Sequence, residues 1–571
     1  MKTELQENNL KNIINKDLAE LIIKNKYLEE EAVKSSLNAA IAEDTRLDIY
    51  LTKNALISEE IASSILATYL DFKYENIDVI KYDEELISNL SLEFIEKNKF
   101  IPLVYDVFES SYLIALADPF DRESLKKVFA LYGLNTRIVI APVSKIRKIS
   151  LRIHSKLNQD QAISEYNNEL NPLTASKNNI SGADLYDSPA VKLVESTLKG
   201  AIAADASDIH IEPYEEIVRI RYRMDGKLLE STTFNISMYP AVSTRIKILA
   251  NLDIAEKRLP QDGRISMEVN GKDYDFRVST LPTVNGEKIV IRVLDKDAFN
   301  FAITNLGFFD EELKLVNSFI KQPHGIVLLT GPTGCGKSTT LYTFIREIND
   351  VDVNIITVED PVEYTIEGVN QVQINTKANL TFASALRSIL RQDPNIVMIG
   401  EIRDEETAEI AMRMAITGHL VFSTLHTNDA AGAVTRLIDL GLEPFFVADA
   451  LTGVISQRLV RKLCPECKKI HKTTKVENEI LKIKKSVNIF EPVGCPACHY
   501  TGYKGRLGIH EVLEVNQKIK EAILNKAPTS FIKDEAINNG MLELFETCKR
   551  VVLNGDTSID ELLSVVLVND D

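Results

Sequence analysis

Eight residues constrain this chain more than any others. Gly331-Pro-Thr-Gly-Cys-Gly336-Lys337-Ser338 fits the pattern G-x-x-x-x-G-K-[ST]. An apolar run, Ile326 to Thr330, precedes it, and residues compatible with a helix, Lys337 to Ile345, follow. Glycines at this spacing let backbone N–H groups curl around a phosphate, and the start of a helix favours an anion. Gly331, Pro332, Thr333, Gly334, Cys335, Gly336, Lys337, Ser338 and Thr339 are therefore the expected contacts to ATP. Lys337 is expected at the β- and γ-phosphates, and the Ser338 hydroxyl on Mg²⁺. From about Leu306 onward, strands and helices alternate as a doubly wound sheet requires.

Hydrolysis also needs carboxylates beside the phosphates. Ile396-Val-Met-Ile399 runs into Gly400-Glu401-Ile402-Arg403-Asp404, with glycine where ordinary P-loop ATPases place aspartate. The missing metal contact is expected from Ile356-Thr-Val-Glu359-Asp360-Pro-Val-Glu363, a strand entering an acidic turn. His419 and His426 bracket the apolar stretch HLVFSTLH. Standing alone, each would read as a hydrogen-bonded core histidine.

Cys464-Pro-Glu-Cys467 and Cys495-Pro-Ala-Cys498 form a doubled C-x₂-C. Each pair offers two thiolates from one tight turn, and two pairs close a tetrahedral Zn²⁺ site. A closed Cys₄ site has no open position, so its expected role is in folding and not in chemistry.

In chain order, GPTGCGKST, VEDPVEY, LRSILRQDPNIVMIGEIRD and TGHLVFSTLHTNDA resemble four motifs of the type IV pilus assembly and type II secretion motor ATPases. These are the Walker A loop, Asp box, Walker B segment and His box. The resemblance covers roughly residues 184–571 and implies a homohexamer that hydrolyses Mg²⁺-ATP. It implies Glu401 as the catalytic carboxylate, with Glu363 left as the competing base, and Glu359 and Asp360 positioning Mg²⁺ and water. It gives His426 and His419 a γ-phosphate-sensing or ring-coupling role. Arg277 and Arg292 match arginine fingers that reach a neighbouring subunit's nucleotide, and Arg387, Arg391 and Arg403 match its active-site rim. The tetracysteine subdomain implies contact with an inner-membrane platform protein. GYKGRLGIHEV, after the second cysteine pair, is closer to the pilus assembly members than to the secretion members, which remain the alternative. Retraction motors resemble the last two domains only and lack the cysteines.

The rest of the chain reads as a multidomain α/β protein. Residues 1–72 are expected to form a helical bundle, 73–154 a small α/β domain and 155–183 a polar linker. Residues 184–300 form a second α/β domain, PAS-like by resemblance, and 301–571 a RecA-like ATPase domain with the zinc subdomain at about 460–508. Arg219, Arg221 and Arg223 alternate on one strand face of the middle domain and read as a solvated face. The N-terminal bundle resembles that of the same ATPases, some of which bind cyclic di-GMP through a repeated R-L-G-x-x-L pattern. Here the first repeat lacks its arginine, Asp48 and Ala55 replace glycines of the second, and Tyr69 stands where glutamine is expected. Cyclic di-GMP binding is therefore not expected. The net charge of −17 argues against broad coating of nucleic acid and disfavours a P-loop translocase. No apolar run is long enough to span a bilayer and the N-terminus has no signal-like core. The expected place is the cytoplasm, with the inner membrane met only through partners.

Overall fold

Four helices, Lys2–Lys24, Glu30–Ala42, Leu47–Lys53 and Glu59–Tyr69, come first. Leu18, Ile22, Leu51, Ile65 and Leu66 recur at helical spacing and close one apolar core between them. The computed structural model describes residues 2–169, 188–295 and 302–567, and the chain divides into two units, Met1–Leu294 and Asp295–Asp571.

After the helices, strands β1 (Lys73–Tyr74), β2 (Phe100–Asp106), β3 (Ser111–Leu116) and β4 (Thr136–Ile140) form a sheet in the order β1-β4-β3-β2. The helix Val143–Glu169 follows, and it corrects one expectation. Residues 155–169 are not linker but its continuation; residues 170–183 lie outside the described residues. The polar composition hides a stripe, Ala162, Ile163 and Tyr166, that packs into the core of the middle domain, while Gln159 donates to the Tyr222 hydroxyl at 3.2 Å.

That middle core is built on β5 (Asp208–Pro213), β6 (Ile217–Met224), β7 (Lys227–Asn235), β8 (Gln261–Val269), β9 (Lys272–Thr283) and β10 (Gly286–Asp295). They form one six-stranded sheet, β7-β6-β5-β10-β9-β8. Helices Pro189–Ala203 and Tyr239–Leu249 cover the face carrying Ile209, Ile211, Ile220 and Phe276. The opposite face is charged. Arg221 pairs with Glu212 through two hydrogen bonds of 2.9 and 2.8 Å, Arg219 with the same carboxylate at 3.3 Å, and Arg223 with Asp208 at 3.5 Å.

In the second unit, β11 (Gly325–Thr330), β12 (Ile355–Glu359), β13 (Asn370–Gln373), β14 (Ile396–Ile399), β15 (Leu420–Leu425) and β16 (Leu451–Leu463) join a later strand in one sheet. A small antiparallel pair, β17 (Lys469–Lys472) and β18 (Asn488–Glu491), separates β16 from β19 (Tyr503–Glu514). The seven-stranded order is β13-β12-β14-β15-β11-β16-β19, parallel except for the β16–β19 pair. Successive residues of β11 enter two different cores, Ile326 and Leu328 one, Val327 and Leu329 the other. Both faces of the sheet are therefore buried, and functional side chains collect where its strands end.

Candidate nucleotide site and metal centre

The loop leaving β11 turns through three glycines with positive φ: Gly331 at 143°, Gly334 at 81° and Gly336 at 90°. Two are also sterically required. A Cβ on Gly331 would lie 2.5 Å from the Gln457 carbonyl oxygen, and one on Gly336 would lie 2.8 Å from Gln457 Nε2. The helix Lys337–Glu347 starts at once, so its first N–H groups point into the loop. Lys337 Nζ donates to the carbonyls of Gly331 at 2.6 Å and Pro332 at 3.1 Å, and burial pulls its pKa below the usual lysine value. Ser338 is exposed on the same first turn. A glycine cradle, a helix start, an ammonium and a hydroxyl on one loop fit a Mg²⁺-bound triphosphate.

Motif spacing did not reveal what braces this loop. Gln457, on β16, donates from Nε2 to the Cys335 carbonyl at 2.8 Å and accepts at Oε1 from Thr340 Oγ1 at 2.8 Å. Its neighbour Arg458 is buried and donates to the Asn428 carbonyl at 2.8 Å. The only trace in the sequence is a polar pair inside an apolar run, VISQRLV.

The strand carrying Glu401 is not next to β11; β15 lies between them. Ser423 and Thr424 of β15 donate to the carbonyls of Ile399 and Gly400 at 3.0 and 2.8 Å, which ties the end of β14 to the path toward His426. Glu401 is thus held between Arg403, 2.5 Å from Oε1, and His426 Nε2, 3.5 Å from Oε2. Its charge also reaches Lys337. At Gly400 a Cβ would make only ordinary contact, 3.4 Å from Glu359 Cα and from the Val358 carbonyl, so the end of β14 lies close against the end of β12.

Two expected site residues, Glu359 and His419, are placed differently. Glu359 is buried, and its oxygens accept from Thr357 at 2.6 Å, from Gln371 at 3.1 Å and from the Tyr342 hydroxyl. Tyr342 in turn accepts from the Glu363 N–H at 3.2 Å. Glu359 therefore anchors the acidic turn from below, while Asp360 is exposed. His419 lies at the opposite edge of the sheet: its carbonyl accepts from Gly325 N, where β11 begins, and its Nδ1 lies 2.9 Å from the Met414 carbonyl. Six paired residues of β11 and β15 separate it from the loop, about 20 Å at strand rise. Arg387 and Arg391 are exposed on the helix Phe382–Ile389 and the residues just after it, Arg387 paired with Glu406. In the other unit, Arg292 pairs with Asp208 at 3.1 Å and Arg277 stands on β9.

The four cysteines do converge. Their sulfurs lie within 4.8 Å of one another, with Cys464–Cys495, Cys467–Cys498 and Cys495–Cys498 each at 3.8 Å. A tetrahedron with metal–sulfur bonds of ~2.3 Å has edges of ~3.8 Å. Peptide N–H groups of Gly494, Cys495 and Gly502 point at the sulfurs from 3.3, 3.2 and 3.2 Å, as they do toward thiolates. The cluster can hold a metal ion.

Residues 184–564 match the family described as type II/IV secretion system protein. The chain belongs to that family. Residues 70–153 match a second one, the MshEN domain. Among relatives of the secretion family, the type IV pilus assembly ATPase PilB of Myxococcus xanthus is 38% identical over 561 residues, 96% of this chain and 98% of its own length. The type II secretion system protein E of Pseudomonas aeruginosa is 46% identical over 381 residues, 66% of this chain and 76% of its own. The Legionella pneumophila ATPase DotB shares the fold, with a TM-score of 0.50 and 21% identity over 66% of this chain and 95% of its own.

Gln457→Leu keeps the side-chain bulk but leaves the Cys335 carbonyl and Thr340 hydroxyl unpaired, at a cost of about 1–3 kcal/mol each. Titration with a fluorescent nucleotide is expected to show affinity at least about tenfold weaker, while His419→Ala leaves that affinity unchanged.

Proposed function

We propose that the chain is a motor ATPase of type IV pilus assembly, a cytoplasmic homohexamer held at the inner membrane by platform and assembly proteins. The observation that carries this reading is Glu401, held between Arg403 and His426 within electrostatic reach of Lys337 in the glycine loop. In this reading Lys337 and the first N–H groups of its helix bind the β- and γ-phosphates, while Ser338, Asp360 and Glu363 hold Mg²⁺ directly or through water. Glu401 accepts the proton of the attacking water, and Glu363 is the second candidate for that task. Arg403 and His426 fix the carboxylate's direction, and His426 registers the γ-phosphate. Arg387 and Arg391 lie on the rim. Arg277 and Arg292 reach a neighbouring subunit's nucleotide, where a rigid guanidinium stabilises transition-state charge. A type II secretion motor is the second reading. The match to PilB along nearly the whole chain, N-terminal domains included, favours pilus assembly.

The cysteine cluster holds Zn²⁺ in this reading, which supplies four thiolate bonds and no catalysis. Cyclic di-GMP is not a ligand. Arg46, the one arginine of the repeat, is committed to Asp48 at 2.7 and 2.8 Å and to Asp118 at 3.0 and 3.1 Å, and it stacks on Phe120. Asp48 occupies the place where the pattern needs glycine.

Four outcomes are expected. Glu401→Gln binds ATP with near-normal affinity but hydrolyses it at least about a hundredfold more slowly in a steady-state phosphate assay; undiminished turnover overturns the assignment. Arg277→Ala is inactive alone and recovers activity when mixed with Glu401→Gln subunits, if the finger acts in trans. Chelation releases one zinc per chain and lowers the thermal midpoint, whereas isothermal titration with cyclic di-GMP gives no heat of binding.

A further inference from the structure

The sharpest charge contrast in the chain surrounds the cysteine cluster. Residues 461–506 carry eleven Lys and Arg against four Glu, a net of +7 in a chain whose total is −17. The remaining residues therefore sum to −24. Four thiolates around a divalent metal take two charges from the segment, so it stays strongly cationic with metal bound.

This charge is at the surface. Lys462, Lys469, Lys472, Lys475, Lys484 and Lys485 are exposed, and none has a carboxylate partner among the described residues. Apolar side chains stand singly between them: Ile470 is 53% exposed, Val476 64%, Val493 59% and Tyr500 74%. The β17–β18 register shows how the two kinds are interleaved. Ile470 and Lys472 lie on one face, opposite Phe490 and Asn488, while Lys469, opposite Glu491, alternates to the other face with Ile489, which is buried in the core beneath.

We propose that this metal-braced subdomain docks directly on an anionic lipid bilayer. Long lysine side chains lay their stems along an interface and keep the ammonium among headgroups, and aromatic or branched side chains fill the boundary beneath. Each lysine is drawn to an anionic leaflet only within a Debye length, about 8–10 Å at ordinary ionic strength. The same screening hides the acidic remainder of the chain, so the contrast in charge also orients the molecule. A folded acidic partner would need a contiguous complementary patch, whereas lysines with single apolar side chains between them suit a fluid, laterally adaptable surface. The net charge of −17, which suggests contact with the membrane through partners only, conceals this face. The inference depends on the subdomain and is independent of the pilus or secretion reading.

The test uses the full chain and vesicle flotation. Vesicles of phosphatidylcholine alone are compared with vesicles of equal parts phosphatidylcholine and phosphatidylglycerol. The protein is expected to float with the second and not the first, and to be released as salt rises. The triple variant Lys472→Glu, Lys475→Glu, Lys484→Glu is expected to bind at least about tenfold more weakly, and the same three positions changed to Arg to bind as before. Bound metal and nucleotide affinity, both unaltered in these variants, show that the fold is intact. Should the charge-reversed protein lose its metal, Tyr500→Ser with Val493→Ser replaces it and is expected to weaken binding severalfold. Failure of the wild-type chain to bind anionic vesicles at low salt overturns the proposal, as does undiminished binding by both metal-loaded variants. Tight binding to soluble polyglutamate without flotation assigns the face to an acidic protein instead, and also overturns it.

Discussion

A loop of glycines has no intrinsic reason to hold one shape, and fixing its backbone costs more entropy than fixing any other sequence. Gln457 is the interaction that makes the shape persist. One amide bonds the Cys335 carbonyl inside the loop and the Thr340 hydroxyl on the helix that follows, so both ends of the turn are referred to one strand. Lys337 closes the loop from within through the Gly331 and Pro332 carbonyls. Without the brace, the N–H groups of the cradle would point in no fixed direction, and preorganised donors are what phosphate binding exploits.

The parallel sheet then decides which side chains can meet. Residues leaving the same edge of neighbouring strands are brought together, and those leaving opposite edges are separated by the full strand length. Glu401 and His426 follow β14 and β15 at one edge, so they approach each other. His419 precedes β15 and is left at the other edge, although only seven positions separate the two histidines. Proximity in sequence is a poor guide here because a six-residue strand intervenes.

The glycine loop and the four cysteines were legible because their chemistry demands fixed spacings, and the geometry converged as those spacings require. The helix through residues 155–169 was not. Ala162, Ile163 and Tyr166 are too few apolar residues to outweigh a polar composition until the helix they pack on is known. Glu359 read as a metal carboxylate because acidic turns after buried strands look alike. Only the structure shows Tyr342, Thr357 and Gln371 already bonded to it. Gln457 and Arg458 carry no motif at all. Their partners are 117 and 30 residues away, a separation that no local pattern encodes.

Strand β16 links two sites that the sequence presents as separate. It carries Gln457 to the glycine loop and, seven positions later, delivers Cys464 to the metal cluster. Its ladder with β19 runs from Gly453 to Leu463, and the Cys464 N–H donates to the Gly502 carbonyl just beyond. The cysteine cluster therefore sits at the open end of the same two-stranded unit whose middle braces the phosphate loop. Between the cluster and Gln457, β16 is further tied down by the Leu463 N–H, which donates to the Asp556 carbonyl at 2.8 Å, and by Arg461, through Glu561 at 2.6 Å and the Tyr503 ring at 3.9 Å. Metal binding is folding free energy in sites of this kind. A metal held by the four cysteines would deliver that energy to the strand on which the shape of the nucleotide loop depends.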